Sequence, residues 1–503
     1  MSYDFLKLEG IEKSFGGVKA LQGVSMTVKR GEIRALAGEN GSGKSTLIKI
    51  ISGVYQPTAG RVEIEGQEFS DIKPIDAINK GIQVVYQDFA VFPNLTVAEN
   101  IAMNRNIKSG RKTMSWKDTR RVALEAMAQI GAELDPDLPL DRLTVANKQI
   151  VAICRAIVAD AKLLILDEPT TALTAKEVEY LNDIIRKLKE KGLAIVIVNH
   201  KLDEIYEIAE TLTVIRNGRL IADGDIKDFD RARFVKALTG RDLTDTYYRP
   251  KTDDSGEEIL KVDHLTRQGA FEDVSFSLRK GDVLGLTGLL GSGRGEIGDA
   301  LFGLAPAQSG TVALNGREIR IRSVNDAVKA GIGYVPEDRL TQGLFMNRSI
   351  QDNTVASNIR KYLHHAMLDY KQMYDDTVNW IRTVNCKAPG PEPPIRTLSG
   401  GNAQKIVIAK WLNTDPKLLI LNGPTVGIDI GAKADIFTIL HDLAAKGVGI
   451  IVISDDISEL IENCNKILVM RDGKPSPIYD AKDLDSGRLA RLLNGADEED
   501  ADE

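Results

Sequence analysis

Cysteine is scarce in this sequence, with three residues in 503: Cys154, Cys386 and Cys464. They are widely spaced and have no histidine nearby, so the pattern gives neither a disulfide framework nor a zinc site and suits a reducing cytoplasm. Long apolar runs are missing too, because stretches such as residues 192–198 and 448–453 are far shorter than a bilayer requires. No leader with a basic and then an apolar region precedes the first strand pattern. We therefore expect a chain without a signal peptide that does not itself cross a membrane.

A surplus of basic charge is also absent. The chain carries 65 lysines and arginines against 72 aspartates and glutamates, a formal net charge of −7. Without a basic run, a nucleic-acid partner held through its phosphates is not expected. The hydrophobic share of 43% and the charged share of 27% are those of a globular protein. A chain of this length exceeds one hydrophobic core, so several domains are expected.

A glycine-rich stretch follows an apolar run at residues 33–37 and precedes apolar residues at helical spacing. Its residues are Gly38, Glu39, Asn40, Gly41, Ser42, Gly43, Lys44, Ser45 and Thr46. Such a loop lets backbone N–H groups surround a phosphate, while Lys44 reaches the outer phosphates and Ser45 offers a hydroxyl to Mg²⁺. The helix that begins here adds its positive dipole end. The stretch predicts binding of a nucleoside triphosphate.

Two adjacent carboxylates follow a second apolar run at residues 162–166. Asp167, at the end of this predicted strand, can hold Mg²⁺ directly or through water. Glu168 can polarise a water molecule for attack on the γ-phosphate. Beside the phosphate loop, this pair predicts nucleotide hydrolysis.

Three single residues are compatible with the same site, and each has an ordinary structural alternative. Gln87 follows an apolar run and is either a contact to Mg²⁺ or to the attacking water, or a plain loop residue. His200 follows another apolar run and either contacts the γ-phosphate or is structural. Phe15 either stacks on a purine ring or simply packs.

The chain repeats itself. Gly288 lies 250 positions after Gly38 (288 − 38), and the pattern at residues 419–425 lies 255 positions after that at residues 164–170. Two copies of one α/β unit are the interpretation, each with a parallel sheet covered on both faces. We place the first domain at residues 1–246, a polar linker at 247–257, the second domain at 258–496 and a solvated acidic tail at 497–503.

The second half has lost the hydrolytic residues and kept a different motif. Its loop has Arg294 in place of lysine and Gly295 in place of the hydroxyl residue, and Asn422 and Gly423 replace the two carboxylates. Asp455 stands opposite His200. Conversely, the second half contains the phosphate-binding sequence Ser399, Gly400 and Gly401 ahead of a helix, whereas residues 143–149 of the first half lack both glycines.

These residues resemble an ATP-binding cassette (ABC) ATPase with two fused cassettes, over about residues 5–495. The resemblance implies two tandem P-loop NTPase domains, each with a RecA-like core, an antiparallel β subdomain and a helical subdomain. It makes residues 38–46 the Walker A loop, Gln87 the Q-loop, Asp167 and Glu168 the Walker B carboxylates, and His200 the switch histidine. It makes Phe15 the adenine-stacking aromatic and residues 399–401 the signature. ATP and Mg²⁺ are the implied cofactors.

In this family, each ATP lies between the Walker A loop of one cassette and the signature of the other. The resemblance therefore implies one hydrolytic site, built from the first loop and the second signature, and one defective site. The departures at Gly295, Asn422, Gly423 and Val426 agree with a second loop that does not hydrolyse ATP.

Residues 53–60, 334–339 and 398–405 resemble the ATP-binding subunit of a bacterial monosaccharide importer of the ribose or galactose type. This implies two separate permease subunits, a solute-binding protein reached indirectly, no direct sugar contact and a cytoplasmic position on the inner face of the membrane. The permease surface is expected at residues 87–95 and 337–346, with Phe89, Phe92, Phe345 and Met346 either docking or packing internally. Importers of nucleosides or other small solutes, and soluble twin-cassette ATPases, are the alternative functions.

Overall fold

A computed structural model describes residues 4–69, 71–86, 90–108, 115–170, 173–199, 201–240, 256–365 and 367–495. The chain divides into two compact units, Met1–Leu243 and Thr244–Glu503. The predicted boundary at residue 246 and most of the predicted linker, as well as the predicted tail at 497–503, lie outside the described residues. These domain limits therefore remain predictions, and each unit is described by itself.

The first unit contains ten strands and eight α-helices among its described residues. The strands are β1 (Asp4–Phe15), β2 (Val18–Lys29), β3 (Ile33–Ala37), β4 (Ala59–Ile64), β5 (Gln67–Phe69), β6 (Ile82–Val85), β7 (Leu163–Asp167), β8 (Ala194–Val198), β9 (Thr211–Arg216) and β10 (Arg219–Asp225). The helices are α1 (Lys44–Ile51), α2 (Pro74–Asn79), α3 (Val97–Lys108), α4 (Trp116–Ile130), α5 (Val145–Val158), α6 (Ala175–Glu190), α7 (Leu202–Ile208) and α8 (Arg231–Thr239).

A six-stranded sheet in the order β10-β9-β3-β8-β7-β6 forms the core of the first unit. All its neighbouring strands are parallel except β9 and β10. Strands β3 and β8 are buried at every residue, because helices cover both faces of a parallel sheet. The carboxyl ends of β3 and β7 consequently lie at the same edge of the sheet. The phosphate loop follows β3 there, and Asp167 is the last residue of β7.

Two further layers complete the first unit. The antiparallel sheet β2-β1-β4-β5 packs its apolar side against α1, so Leu8 and Ile48 share one core cluster. Helices α3, α4 and α5 pack on the other side, where their buried residues join the cluster that contains β7 and β8. Helix α4 begins at the cap residue Ser115 and ends at Gly131, which has a left-handed backbone.

The second unit repeats this order with an added hairpin. Its strands are β11 (Glu258–Arg267), β12 (Phe271–Arg279), β13 (Val283–Gly288), β14 (Ser309–Leu314), β15 (Arg317–Ile319), β16 (Ile332–Val335), β17 (Leu363–His364), β18 (Met367–Leu368), β19 (Leu418–Asn422), β20 (Gly449–Ile453), β21 (Lys466–Arg471) and β22 (Lys474–Asp480). Its helices are α9 (Arg294–Phe302), α10 (Val324–Ala330), α11 (Ile350–Val355), α12 (Tyr370–Thr383), α13 (Gly400–Leu412), α14 (Ile430–Ala445), α15 (Ile457–Asn463) and α16 (Ser486–Asn494).

The sheets of the second unit have the same topology as those of the first. The six-stranded sheet runs β16-β19-β20-β13-β21-β22 and the four-stranded antiparallel sheet runs β12-β11-β14-β15. A π-helical turn at residues 339–343 follows β16. The prediction of two tandem α/β units, each with a parallel core, an antiparallel sheet and a helical part, is confirmed.

The three cysteines lie in these cores, and none is paired with another. Burial raises the pKa of the Cys154 thiol to about 12 and that of Cys386 to about 11, and it raises the pKa of Cys464 as well. Among the described residues, no helix is both long enough and apolar enough for a membrane span.

Candidate active site

The first phosphate loop connects β3 to α1 and is shaped by its glycines. Gly43 caps α1 with a φ of 112°, and a side chain there would begin 2.7 Å from the Ala20 carbonyl of β2. A side chain at Gly38 would collide with the Ile215 carbonyl of β9. Both positions therefore require glycine, because a side chain at either would meet a backbone carbonyl of a nearby strand, β2 at Gly43 and β9 at Gly38.

Lys44, the first residue of α1, folds back along this loop. Its Nζ donates to the Gly38 carbonyl at 2.5 Å and to the Glu39 carbonyl at 3.0 Å, and the residue is buried. The buried Ser42 Oγ has no hydrogen-bond partner among the described residues. A buried hydroxyl without a partner beside a lysine on a glycine loop fits a bound phosphate, which would supply the missing acceptor.

The two predicted magnesium residues with described positions occupy suitable elements. Ser45 is an exposed residue in the first turn of α1, and Asp167 ends β7, which β8 separates from β3 in the sheet. Burial raises the pKa of the Asp167 carboxyl, Glu168 raises it further, and the positive charge of Lys44 opposes both effects. The Asp167 carboxylate and the Ser45 hydroxyl are oxygen ligands of the kind that Mg²⁺ prefers, so these residues fit the ion.

Glu168 is held in a left-handed backbone conformation, with a φ of 47°. Its N–H donates to the Val198 carbonyl at 2.9 Å, which fixes the turn that follows β7. The second unit makes the same hydrogen bond from Gly423 to Ile453 at 2.8 Å, with a φ of 57°. A side chain in this conformation costs about 1 kcal/mol or more, which glycine avoids. The strained conformation thus carries a carboxylate only in the first unit.

Phe15 ends β1 and presents a half-exposed ring. The ring of Tyr55 meets it edge-on at 5.2 Å between centroids, and Lys13 Nζ lies 5.3 Å from its centre. The backbone N–H of Tyr55 is in turn bonded to the Lys49 carbonyl of α1 at 2.9 Å. This arrangement fixes the Phe15 ring relative to the phosphate-loop helix and leaves apolar surface for a base. The sequence did not indicate the supporting role of Tyr55.

Gln87 and His200 lie outside the described residues, so their predicted roles stay predictions. The residue before His200 is described: Asn199 is buried, and its Nδ2 donates to Glu204 Oε2 at 2.6 Å. The Thr170 hydroxyl donates to the same oxygen. Sequence reasoning missed Glu204. The repeat could have indicated it, because a threonine and a glutamate recur 255 positions later as Thr425 and Glu459. In the structure Thr425 likewise donates to Glu459.

The predicted signature begins α13 and differs from its counterpart in how the helix is capped. Ser399 is the N-cap residue, but its hydroxyl makes no capping bond and instead accepts from Asn402 Nδ2 at 2.9 Å. In the first unit, the Thr144 hydroxyl caps α5 by accepting from the Asn147 N–H at 3.3 Å. The first turn of α13 thus has backbone N–H groups that no side chain caps, which is the arrangement that suits an anion.

The second phosphate loop has the same backbone and different chemistry. Arg294 donates to the Gly288 carbonyl, and its Nη2 lies 3.6 Å from Asp455 Oδ2. A side chain at Gly295 would begin 3.6 Å from Asn422 Nδ2, and this amide donates to the Tyr334 hydroxyl at 3.4 Å. Neutral groups therefore occupy the places of the magnesium hydroxyl and carboxylate, so this loop does not fit the ion.

The segments predicted to meet a permease are built alike in the two units. The buried Asn100 accepts from the Phe92 N–H at 2.9 Å, and the buried Asn353 accepts from the Phe345 N–H at 2.8 Å. Both phenylalanine rings are largely exposed, whereas Met346 packs against the core. Internal packing therefore accounts for Met346 and leaves Phe92 and Phe345 as candidate anchors. Phe89 lies outside the described residues.

Comparison with known proteins finds a family match in each half of the chain and relatives over nearly its whole length. The family described as "ABC transporter" matches residues 21–171 and 271–426. A putative ribose/galactose/methyl galactoside import ATP-binding protein of Burkholderia cenocepacia is 40% identical over 490 residues, 97% of this chain and 93% of the relative. A ribose import ATP-binding protein of Geobacillus kaustophilus is 38% identical over 491 residues, 97% of this chain and 99% of the relative.

The solved structures that match cover less than half of this chain. A dimeric ATP-binding cassette in a post-hydrolysis state, with ADP and phosphate bound, is 29% identical and has a TM-score of 0.40. The match covers 44% of this chain and 100% of that cassette.

Proposed function

This chain belongs to the ABC transporter family, and on that basis we propose that it is the ATP-hydrolysing subunit of an importer for a monosaccharide. Relatives with ribose and galactoside names cover nearly its whole length. The observation that supports hydrolysis most directly is the carboxylate pair at the end of β7, with Glu168 in its strained turn and Asp167 near Lys44. The chain acts through permease subunits, so it does not contact the sugar itself.

The residues of the first unit divide the work of hydrolysis. Lys44 and the loop N–H groups bind the phosphates, and Phe15 supports the base. Ser45, Asp167 and Gln87 would hold Mg²⁺, which would supply charge stabilisation during phosphoryl transfer. Glu168 orients and deprotonates the attacking water, while His200 contacts the γ-phosphate.

We further propose that the chain has one hydrolytic site, completed by Ser399, Gly400 and Gly401 of the second unit. The uncapped start of α13 supports this assignment, and the capped start of α5 argues against a matching role for residues 144–146. The second phosphate loop lacks a magnesium hydroxyl and carboxylate, which supports the absence of hydrolysis there.

The partners follow from the same family membership. Two permease subunits are expected to dock near Phe92 and Phe345, because these exposed rings stand on matching supports in the two units. A solute-binding protein would deliver the sugar to the permeases. The chain would then lie in the cytoplasm, peripherally on the inner face of the cell membrane.

The first experiment is ATP turnover by the purified full chain. We expect Glu168→Gln to bind ATP and to lose turnover by about 10²–10⁴-fold. The exposed Glu179 in α6 offers a matched control, and Glu179→Gln should retain the wild-type rate. Full turnover in Glu168→Gln would reject the assignment of the base.

The transport claim needs a separate experiment. We expect the chain to co-purify with a multi-span permease, and uptake of a labelled monosaccharide into vesicles to require both proteins and ATP. Phe92→Ala and Phe345→Ala should weaken co-purification without lowering the turnover of the isolated chain. Stable association with ribosomes instead of a permease would overturn the importer assignment.

A further inference from the structure

Arg339 connects three parts of the second unit that are far apart in sequence. Its Nη1 donates to the Val426 carbonyl at 2.6 Å, and its Nη2 donates to the Gly427 carbonyl at 3.4 Å. The same Nη2 lies 2.9 Å from the point where a side chain at Gly400 would begin. The guanidinium of Arg339, in the turn after β16, therefore contacts the loop after β19 and lies beside the signature.

The turn that carries Arg339 is held by hydrogen bonds of its own. The Asp338 carboxylate accepts from the N–H groups of Leu340 and Thr341 at 3.0 and 3.2 Å and from the Thr341 hydroxyl at 2.6 Å. At the other end of the turn, Lys410 of α13 donates to the Gly343 carbonyl at 2.7 Å. The turn at residues 339–343 is thus bonded to α13 at its end through Lys410, while at its beginning Arg339 bonds residues 426–427 and lies close to Gly400.

The other side of the signature is also closely packed. A side chain at Gly401 would collide with Ala432 in the first turn of α14, which Asp429 caps. The signature glycines therefore lie between Arg339 on one side and α14 on the other. The absence of side chains at Gly400 and Gly401 lets Arg339 and Ala432 approach the signature closely.

The repeat supplies an internal comparison. The segment from Pro336 to Phe345 corresponds to residues 86–92 of the first half, which contain no arginine, and Gly400 corresponds to Val145 (400 − 255). The arginine and the glycine are therefore present together in one half and absent together in the other. The half with the pair is also the one whose helix start is uncapped.

We propose that Arg339 is a positioning residue for the ATPase site, whose guanidinium holds Gly400 and residues 426–427 in the arrangement that the signature needs. The inference rests on the proposed role of the signature in hydrolysis. The guanidinium places one N–H donor on each of two successive carbonyls and one nitrogen close to Gly400, whereas lysine ends in a single nitrogen, so we expect lysine not to replace it.

The contact itself is tested by a double-mutant cycle on the full chain. Trp116→Phe removes the tryptophan of the first unit, so the remaining fluorescence of Trp380 and Trp411 reports unfolding of the second unit. We expect Gly400→Ala to lower the unfolding midpoint in the Arg339 background and to lower it much less in the Arg339→Ala background. If Gly400→Ala lowered the unfolding midpoint equally with Arg339 and with Arg339→Ala, the contact would be rejected.

The functional role is tested by ATP turnover. We expect Arg339→Ala and Arg339→Lys to lower kcat by about tenfold or more with KM for ATP changed by no more than about twofold, because the signature is misplaced while the binding loop is intact. Millimolar methylguanidinium should restore part of the rate of Arg339→Ala and none of Arg339→Lys. The exposed Arg317 in β15 provides a matched control, and Arg317→Ala should turn over like the wild type.

The outcomes separate the inference from the function on which it rests. If the wild type hydrolyses ATP and Arg339→Ala behaves like Arg317→Ala, the inference is wrong and the proposed function stands. If the wild type does not hydrolyse ATP, the proposed function and the positioning role both fail, whatever the unfolding cycle shows about the contact.

Discussion

Arg294 of the second phosphate loop points its Nη2 at the Oδ2 of Asp455, 3.6 Å away. The loop cation of this unit thus has a carboxylate partner of its own, at the position where the first half has His200. The Asp455 carboxylate is largely exposed and the separation is long, so the pair contributes little stability. Its importance is electrostatic, because a carboxylate beside the loop repels a terminal phosphate.

This relationship predicts opposite results for two variants. Arg294→Ala should leave ATP turnover within about twofold of the wild type, since no hydrolytic residue depends on it. Ser399→Ala should lower turnover by about 10²-fold, as expected when a donor to the transition state is disturbed. Single-turnover hydrolysis measures both. The proposed site fails if Arg294→Ala abolishes turnover and Ser399→Ala does not.

The capping difference predicts a second contrast, in stability. Thr144→Ala removes the side-chain cap of α5 and should lower the free energy of unfolding by about 1 kcal/mol. Ser399→Ala removes no cap from α13 and should cost less than about half of that. Urea unfolding measures both values. Equal losses would show that Ser399 acts as an ordinary cap.

The left-handed conformation of Glu168 predicts a trade between activity and stability. Glu168→Gly should abolish turnover and leave stability unchanged or raise it by up to about 1 kcal/mol, because glycine adopts a φ of 47° without strain. The control is Gly423→Ala at the equivalent turn, which should lose about 1 kcal/mol. Thermal unfolding distinguishes the two variants. A clear destabilisation by Glu168→Gly would show that the backbone of Glu168 is not strained.

The raised pKa of Asp167 predicts how magnesium binding depends on pH. Mg²⁺ requires the ionised carboxylate, so protons compete with the ion. Because burial raises this pKa, affinity for Mg²⁺ should begin to fall at a higher pH than it would for an exposed aspartate, as the pH is lowered. Titration of ATP-loaded protein with Mg²⁺ at several pH values measures this. In Asp167→Asn most of the affinity should be lost, together with the part of the pH dependence that this carboxylate causes.

The half-exposed ring of Phe15 predicts an effect on nucleotide affinity. Phe15→Ala should raise the Kd for ATP by about tenfold, and Phe15→Trp should preserve it, since base stacking is worth about 1–3 kcal/mol. The neighbouring exposed Val18 of β2 is the control, and Val18→Ala should have no effect. Equal affinities of Phe15→Ala and the wild type would assign the ring to packing with Tyr55.

The parts that sequence predicts well are those that spacing alone determines. The phosphate loop lies between β3 and α1, and Asp167 ends β7, because a glycine-rich loop between an apolar run and a helical pattern has few alternative structures. The duplicated topology could be predicted for the same reason, since the offset between the halves aligns each strand of one core with a strand of the other.

The parts that sequence does not predict depend on side-chain direction across long separations. Nothing in the spacing shows that Ser399 accepts from Asn402 whereas Thr144 caps its helix, because both residue types are good N-caps. The contact between Arg339 and Gly400 likewise depends on where the turn after β16 packs. Such choices are made by tertiary packing, which leaves no periodic signal.

The buried cysteines give the chain a practical property. All three native thiols are withdrawn from solvent, and burial keeps them in the unreactive protonated form. A single cysteine introduced at an exposed position would therefore be the dominant target of a maleimide reagent. With one cysteine introduced into each unit, fluorophores or spin labels could be attached without first removing the native cysteines. The distance between the two labels could then be followed through an ATP cycle.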